Sequence, residues 1–256
     1  MAGKPDIDIE EIRRDIRQAN GEGAFVRKPV DPATGKEYER CSHALFPGSQ
    51  MGAYEPELLV KLYDSLHFQM PDAGVIFLAC GMAAKEAGDE ELYRECLARI
   101  EGAWEELGRP VLLMACPQCM AALRKELPQI ETVSLYKKLT EMDISGGCNH
   151  DEFILSEDDE DIRTQAEDMG ATIHLAADES EDPADGEHTA TDGQPSYPYL
   201  TGSMSRRNQL RREGLEATHI LELIYGMSDG ELPGEEQRMQ NRVDVKQFLL
   251  DMYWNE

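Results

Sequence analysis

Short apolar runs alternate with longer amphipathic segments in the first half of the chain. Residues 74–79 (GVIFLA) and 110–115 (PVLLMA) are rich in strand-forming side chains and have the length of buried strands. Between them, residues 89–107 carry apolar side chains at helical spacing and end at a glycine. Residues 41–48 (CSHALFPG) give only a short segment that ends in a turn. Buried strands that alternate with helices predict the α/β class with a parallel sheet.

Weaker patterns predict further elements on both sides of this region. Residues 7–20, 57–68 and 156–169 show helical spacing, and residues 171–176 (ATIHLA) indicate another strand. Residues 178–198 are acidic, rich in Gly, Pro, Ser and Thr, and almost without apolar side chains. Because such a composition buries too little surface to fold, we interpret this stretch as a loop or a disordered insert.

Three of the six cysteines lie just after the predicted strands. Cys80 follows the first strand by one residue, and Cys116 follows the second by one residue in the sequence Cys116-Pro-Gln-Cys119. Functional sites of parallel sheets form beyond the carboxyl ends of their strands. If a helix begins after Cys116, its N–H groups and its dipole favour an anionic thiolate there. The pattern alone therefore places Cys80 and Cys116 where such sites form.

Charge and hydropathy narrow the possible functions. The chain has 256 residues, 51 acidic and 25 basic side chains, and a formal net charge of −26, which disfavours nucleic-acid binding because it repels phosphate backbones. No run approaches the roughly 18 apolar residues of a membrane helix, and residues 1–11 lack the apolar core of a signal peptide. We therefore expect a cytoplasmic protein without direct membrane insertion. In that compartment cysteines serve metal, cluster or thiol chemistry rather than disulfides.

A stretch in the second half echoes the segment that begins with the CPQC sequence. Residues 116–126 (CPQCMAALRKE) match residues 203–213 (SMSRRNQLRRE) at the Leu, Arg and Glu positions, and similar apolar helical segments follow both. The match predicts two copies of one α/β unit, although short helices of this composition also match by chance. The second copy has Ser203 and Arg206 in place of the two cysteines, so it would lack thiolate ligands.

The spacing of the cysteines resembles a known family. Cys41 is followed after 37 residues by Ala-Cys-Gly at residues 79–81, and 35 residues separate Cys80 from Cys-Pro-Gln-Cys at residues 116–119. This order is similar to the cysteine-rich CCG domain of heterodisulfide reductases and of related iron–sulfur oxidoreductases. The resemblance covers about residues 37–254 and is strongest in the first copy.

The resemblance implies an α/β fold of two similar parallel-sheet CCG-type repeats, of which the second is degenerate. It divides the chain into an N-terminal helix and loop (1–36), a cysteine-rich repeat (37–145) and a degenerate repeat (146–256) that holds the insert 178–198. It also implies an iron–sulfur electron-transfer subunit of a cytoplasmic heterodisulfide-reductase-like oxidoreductase complex. The partners would be other redox subunits that carry flavin or iron–sulfur clusters, and the enzymatic activity would belong to the complex.

The resemblance further implies a cofactor and its ligands. The implied ligands are Cys41, Cys80, Cys116 and Cys119. Four thiolates suit an ordinary [4Fe-4S] cluster. Ala79 stands where the family has the first of two paired cysteines, so one expected thiolate is missing. Heterodisulfide-type catalysis, and catalytic residues for it, are therefore not implied.

Two alternatives stay open on the residues themselves. Four thiolates also describe a structural zinc site, which would make the chain a non-redox interaction module. A Cys-x-x-Cys pair also describes a thiol–disulfide protein that uses Cys116 and Cys119 directly. Cys148, between glycines and Asn149, is a candidate for the missing thiolate, and His43 is a candidate for an extra ligand. Cys96 lies on an apolar helical face and is expected to be a core residue.

Overall fold

The structure is a computed structural model that describes most of the chain. The described residues are 9–31, 33–148, 151–175, 197–227 and 231–253. They form two compact units, and each is considered by itself below. Unit 1 comprises Met1–Leu135 and Pro233–Glu256, and unit 2 comprises Tyr136–Leu232.

Strands and helices alternate through most of the described residues. The strands are β1 (Phe25–Arg27), β2 (Val30–Asp31), β3 (Lys36–Glu37), β4 (His43–Phe46), β5 (Gly74–Phe77), β6 (Val111–Met114), β7 (Thr132–Ser134), β8 (Glu152–Leu155), β9 (Thr172–Leu175), β10 (Tyr199–Thr201) and β11 (Ala217–His219). The helices are α1 (Ile9–Ala19), α2 (Ser49–Tyr54), α3 (Pro56–Gln69), α4 (Met82–Glu86), α5 (Glu90–Glu106), α6 (Pro117–Glu126), α7 (Leu135–Glu141), α8 (Glu160–Asp168), α9 (Met204–Arg212), α10 (Ile220–Tyr225) and α11 (Glu235–Tyr253).

Unit 1 is built on a five-stranded sheet in the order β1-β5-β4-β6-β7. The last four strands of this order are parallel, and β1 pairs antiparallel with β5 at one side of the sheet. Every residue of β5 is buried, as are three of the four residues of β6. Buried strands of this kind are typical of a parallel sheet covered by helices on both faces. The predicted α/β class is confirmed.

The register of the central strands brings their ends to common edges. Phe46, the last residue of β4, pairs with Met114, the last residue of β6, and Leu45 pairs with Val75 of β5. The segments that follow these strands therefore leave the sheet on the same side. We call this side, formed by residues 47–49, 78–81 and 115–117, the carboxyl edge of unit 1, and the opposite side its amino edge.

The clearest sequence patterns correspond to observed elements. The predicted strands 74–79 and 110–115 are β5 and β6, and the predicted helix 89–107 is α5. The short segment at residues 41–48, for which no strand was predicted, contains β4, the central strand of the sheet. Before Pro47 its apolar run is only three residues long (44–46), against six residues at 74–79 and 110–115, so its pairing with two neighbours decides its role.

Unit 2 is built on a parallel four-stranded sheet in the order β11-β10-β8-β9. Counted along the chain, its strands lie in the order 2-1-3-4 or its reverse, and the four parallel strands of unit 1 have the same order. The predicted helix 156–169 is α8, and the predicted strand 171–176 contains β9. Residues 178–196 of the predicted insert lie outside the described residues. Descent of the two units from one repeat stays a prediction.

The compact units do not coincide with the three predicted segments. The N-terminal helix and loop predicted at residues 1–36 are part of unit 1, and α11 returns to unit 1 from the end of the chain. The guanidinium of Arg242 on α11 is fully buried and donates to Ser49 O at 3.2 Å. It also donates to Gln18 Oε1 at 2.9 Å and to Asp15 Oδ1 at 2.8 Å. These contacts hold the last helix of the chain against α1 and the start of α2.

Within the part of the chain that the structure describes, no helix has both the length and the apolar character needed to cross a membrane. The 19-residue helix α11 is long enough, but acidic and basic side chains are spread along it.

Candidate functional site

The candidate site lies at the carboxyl edge of unit 1. Cys80 lies in the segment between β5 and α4, and Cys116 lies between β6 and α6. Because β5 and β6 both pair in parallel with β4, the two segments leave the sheet at the same edge, one on each side of β4. Cys119 lies in the first turn of α6. The structure therefore brings these three predicted site residues together.

The local sequence explains how α6 presents its two cysteines. Cys116 is the N-cap residue, with an extended backbone at φ −115° and ψ 117°. Pro117 occupies the first helical position, where a fixed φ and a missing N–H are tolerated. Cys119 points into the core and is 7% exposed, whereas Cys116 is half-buried. The Cys-x-x-Cys sequence thus gives one accessible thiol and one buried thiol.

The sulfur atoms of Cys80, Cys116 and Cys119 form a group that we call the thiol cluster. Cys80 Sγ lies 2.8 Å from Cys119 Sγ, and Cys116 is also hydrogen-bonded to Cys119. Its hydrogen bonds with Cys116 and with Cys80, together with burial, hold the pKa of Cys119 well above its usual range. Cys119 is therefore a protonated thiol at neutral pH and has a more accessible thiol on each side.

A packed layer fixes the segment that carries Cys80. Asn20, which follows α1, accepts a hydrogen bond from Ala79 N at 2.8 Å and donates one to Cys96 Sγ at 3.4 Å. Gly81 has a φ of +80°, and a Cβ there would lie 2.8 Å from Cys96 Cβ. The prediction of Cys96 as a core residue is confirmed, since it is fully buried. Burial first, and then the charge of Cys80, raises the pKa of Cys96 to about 11.

We expect the change Asn20→Ala to destabilise this layer by about 1–3 kcal/mol. The buried N–H of Ala79 would lose its acceptor, and an unpaired buried donor costs about that much. Urea unfolding followed by circular dichroism measures the change. Arg17→Ala, an exposed position in the last turn of α1, is the matched control and should shift the unfolding free energy by less than about 0.5 kcal/mol. Equal effects of the two changes would contradict the role of Asn20.

The structure does not bring Cys41 to the thiol cluster. Cys41 precedes β4, whereas Cys80 and Cys116 follow strands that run parallel to β4. Cys41 Sγ lies against Gly74 at the start of β5, where a Cβ would come within 2.8 Å of it. A rise of about 3.3 Å per residue separates the two ends of a four-residue strand by roughly 10 Å. Cys41 therefore lies at the amino edge, and the predicted convergence of four cysteines is not found.

This separation decides whether the predicted cofactor fits. The sulfur atom of a thiolate ligand lies about 2.3 Å from a bound zinc ion, so the sulfur atoms of two ligands of one ion are at most about 4.6 Å apart. An ordinary iron–sulfur cluster likewise needs its four thiolates around one small volume. Burial first, and then Asp72, raises the pKa of Cys41 to about 11 and keeps it protonated. The four-thiolate set therefore does not fit. Among the described residues, no group of three or more His, Cys, Asp or Glu side chains has the arrangement of a metal site.

The central strand reaches the carboxyl edge without a cysteine. After β4, Pro47 and Gly48 lead to Ser49, the buried first residue of α2. Gly48 has a φ of +77°, which lets the chain turn sharply there. Ser49 was not predicted as part of this edge because β4 was not predicted as a strand. The available signal was the Pro-Gly turn directly after an apolar run, which marks the end of a strand.

Two other candidate ligands have local partners. His43 Nδ1 shares a hydrogen bond of 3.0 Å with Ser42 Oγ at the start of β4, so His43 lies at the amino edge of unit 1. Cys148 lies in unit 2, where its Sγ donates to Asp151 Oδ2 at 3.3 Å. Burial first, and then the hydrogen bond to Asp151, raises the pKa of Cys148 above its usual value.

In unit 2, the junction between β10 and α9 corresponds to the junction between β6 and α6 in unit 1. The two junctions have similar backbone angles but different side chains. Ser203 is the N-cap of α9 with φ −113° and ψ 114°, close to the angles of Cys116. Its Oγ accepts a hydrogen bond from Arg206 N at 3.3 Å. A hydroxyl that caps a helix is a stabilising feature, so this junction of unit 2 has a structural role where unit 1 has a thiol pair.

Unit 2 also buries charged and titratable side chains next to this junction. Arg207 is fully buried and pairs with Glu222, which in turn accepts a hydrogen bond from His219 N at 2.8 Å. The His219 ring is fully buried, and its Nδ1 accepts from Leu221 N at 3.2 Å. Burial first, and then the charge of Arg207, lowers the pKa of His219 to about 3, so this ring is neutral in the folded protein.

We expect His219 to make the folded protein less stable as the pH falls from 7 to 5. In the unfolded chain the ring takes up a proton near pH 6.5, whereas the folded pKa of about 3 prevents this uptake. Stability from His219 is therefore complete above pH 6.5 and decreases by up to about 1.4 kcal/mol per pH unit below it. Urea unfolding of the wild type and of His219→Gln at several pH values measures this contribution. Parallel pH profiles of the two proteins would contradict it.

No family model, curated protein or solved structure matches this chain. The family resemblance of the cysteine spacing therefore stays a prediction.

Proposed function

We propose that this protein is a thiol–disulfide redox protein that uses Cys116 and Cys119. The observation that supports the proposal is the thiol cluster itself, in which a half-buried thiol at a helix N-terminus lies beside a buried thiol of raised pKa. This arrangement gives one thiol that can reach a substrate and a second thiol that can complete the reaction. It favours the alternative that the Cys-x-x-Cys sequence left open.

The first step is an attack by Cys116 on a disulfide of the substrate. The N–H groups and the dipole of α6 stabilise negative charge at its N-cap, which favours the thiolate of Cys116. The thiolate forms a bond with one substrate sulfur, the substrate S–S bond breaks, and the other sulfur leaves as a thiolate that takes up a proton. The product is a mixed disulfide between Cys116 and the substrate.

The second step is an attack by Cys119 on Cys116 Sγ. The largest cause of the raised pKa of Cys119 is its hydrogen bond with Cys116, and this cause is removed once Cys116 is part of a disulfide. Cys119 gives up its proton as its sulfur forms a bond with Cys116 Sγ, the bond between Cys116 and the substrate breaks, and the second substrate sulfur leaves as a thiolate that takes up a proton. The substrate gains two electrons and two protons, and the protein gains one disulfide.

Thiol–disulfide chemistry of this kind needs a reducing compartment and a partner that restores the dithiol. We place the protein in the cytoplasm, where thiols are kept reduced and disulfides are transient. Other redox proteins would regenerate the dithiol, which agrees with the expected partnership with flavin or iron–sulfur subunits. The strong negative charge favours a partner with a basic docking surface.

The predicted iron–sulfur electron-transfer subunit is the second candidate. The observation in its favour is that three thiols meet at one edge of a parallel sheet, where cofactor sites form. The position of Cys41 weighs against it, because a [4Fe-4S] cluster would then need a fourth ligand that is not this cysteine. A zinc-stabilised interaction module meets the same objection.

Anaerobic purification followed by metal analysis and a disulfide-exchange assay tests the proposal. We expect less than stoichiometric iron, zinc and acid-labile sulfide. We also expect reduction of oxidised glutathione or insulin with one protein disulfide formed per chain. Stoichiometric iron and sulfide would overturn the proposal in favour of the cluster, and one zinc per chain would favour the interaction module. The proposal would also be overturned if the protein contained no metal and reduced neither oxidised glutathione nor insulin.

A further inference from the structure

Cys80 has no role in the two steps above, although its sulfur lies 2.8 Å from that of Cys119. A disulfide has an S–S length of about 2.05 Å, so the two sulfur atoms need to approach by less than about 1 Å to form one. Cys80 is half-buried, which leaves its thiol more accessible than that of Cys119. We propose that Cys80 is a third redox thiol, which takes over the disulfide from Cys116 by pairing with Cys119.

The exchange is balanced within the protein. The thiolate of Cys80 attacks Cys119 Sγ in the Cys116–Cys119 disulfide, and a bond forms between Cys80 and Cys119. The bond between Cys116 and Cys119 breaks, and Cys116 leaves as a thiolate that takes up the proton lost by Cys80. No electrons are gained or lost overall. This inference rests on the proposed function, because the first disulfide arises from the reduction of a substrate.

The residues on both sides of Cys80 hold its thiol in a fixed position, which favours disulfide exchange with Cys119. Ala79 N donates to Asn20 Oδ1 on one side of Cys80, and Gly81 packs against Cys96 on the other side. Both neighbours of Cys80 along the chain are thus held in place, which fixes the position of its sulfur relative to α6. Cys119 contacts a thiol on each side, so it is the shared member of two possible disulfides.

The consequence is that the oxidised protein keeps a reactive thiol. When the disulfide joins Cys80 and Cys119, Cys116 is reduced again at the N-terminus of α6, where a thiolate is stabilised. The protein then holds one disulfide, which corresponds to two oxidising equivalents, and still presents the thiol that attacks a substrate. A second substrate disulfide could form a mixed disulfide with Cys116 before the protein is regenerated.

Disulfide mapping of the full chain tests the inference. Trypsin places Cys80 in residues 62–85 and both cysteines of the CPQC sequence in residues 100–124, because the bond before Pro110 is resistant. The protein is equilibrated in a series of glutathione buffers, trapped by alkylation in acid and analysed by mass spectrometry. We expect wild-type protein to give the linked peptide pair 62–85 and 100–124 together with a loop disulfide inside peptide 100–124.

Single variants separate the two disulfides. Cys116→Ser should still form the linked pair, and Cys80→Ser should form only the internal disulfide. Cys119→Ser should lose both, while Cys148→Ser in unit 2 is the matched control and should behave as wild type. Circular dichroism of each variant checks that it is folded, and the wild-type mapping is independent of the variants.

The outcomes distinguish this inference from the proposed function. Absence of the linked pair in wild-type protein at every buffer ratio, with the internal disulfide present, overturns the role of Cys80 alone. A linked pair whose fragments join Cys80 to Cys116 rather than to Cys119 also overturns it. Absence of both disulfides overturns the proposed function as well.

Discussion

The change Cys116→Ser is expected to slow the reduction of a disulfide substrate by at least about 100-fold, which is in the range found when a nucleophile is removed from an enzyme. Serine has no thiolate to offer at the N-cap of α6, and Cys119 is too buried to reach a substrate. Cys80 keeps its thiol, but it lies one residue before the N-cap Gly81 of α4, a helix of only five residues, whereas Cys116 is itself the N-cap of the ten-residue α6. The rate of oxidised glutathione or insulin reduction, measured under anaerobic conditions, gives the result.

Two comparisons make this measurement specific. Cys148→Ser removes a thiol from unit 2 and should leave the rate unchanged. Cys119→Ser should still form the mixed disulfide with Cys116 but release it slowly, so it should accumulate a covalent adduct that mass spectrometry detects. A Cys116→Ser protein with the wild-type rate would show that the attacking thiol has been assigned incorrectly.

The change Arg242→Ala is expected to destabilise the protein by about 3–5 kcal/mol, the range for breaking a buried ion pair. The guanidinium is fully buried and is the donor to the Asp15 and Gln18 side chains of α1. It also satisfies the carbonyl of Ser49, which begins α2 at the carboxyl edge. Alanine would leave these acceptors without their donor and would open a cavity under α11. Urea unfolding followed by circular dichroism measures the loss.

Lys246→Ala is the matched control for Arg242→Ala. Lys246 lies one turn further along α11 and donates to Glu22 O at 2.9 Å in an exposed contact. Exposed contacts of this kind contribute little, so we expect a change below about 1 kcal/mol. A loss of less than about 1 kcal/mol for Arg242→Ala would show that α11 packs on unit 1 without needing this side chain.

The strands and helices that the sequence predicts most clearly are those with a long or fully apolar pattern. β5 and β6 are buried on both faces, so their sequences are continuous apolar runs, and α5 repeats its apolar residues over several turns. The position of Cys80 and Cys116 beyond the strand ends followed from these runs. β4 was missed because its apolar run before Pro47 has only three residues, although pairing on both sides makes it the central strand.

The candidate site could be predicted only in part, because spacing along the chain does not fix position in space. Cys41 fits the spacing of the CCG resemblance, yet it precedes β4, while Cys80 and Cys116 follow their strands. A cysteine before a strand and a cysteine after a parallel neighbour lie at opposite edges of the sheet. Once β4 is located, the Cys41 position at the amino edge follows.

The sequence by itself determined the α/β class, the two central strands β5 and β6, and a pair of thiols in the Cys116-Pro-Gln-Cys119 segment, because these depend on local apolar patterns and on helix-capping chemistry. Only the tertiary structure decided which third cysteine joins that pair. Strand register brought Cys80 to within 2.8 Å of Cys119 and left Cys41 at the other edge. The physical reason is that contacts between distant segments arise from the pairing of strands and the packing of helices, which the local pattern of the chain does not encode.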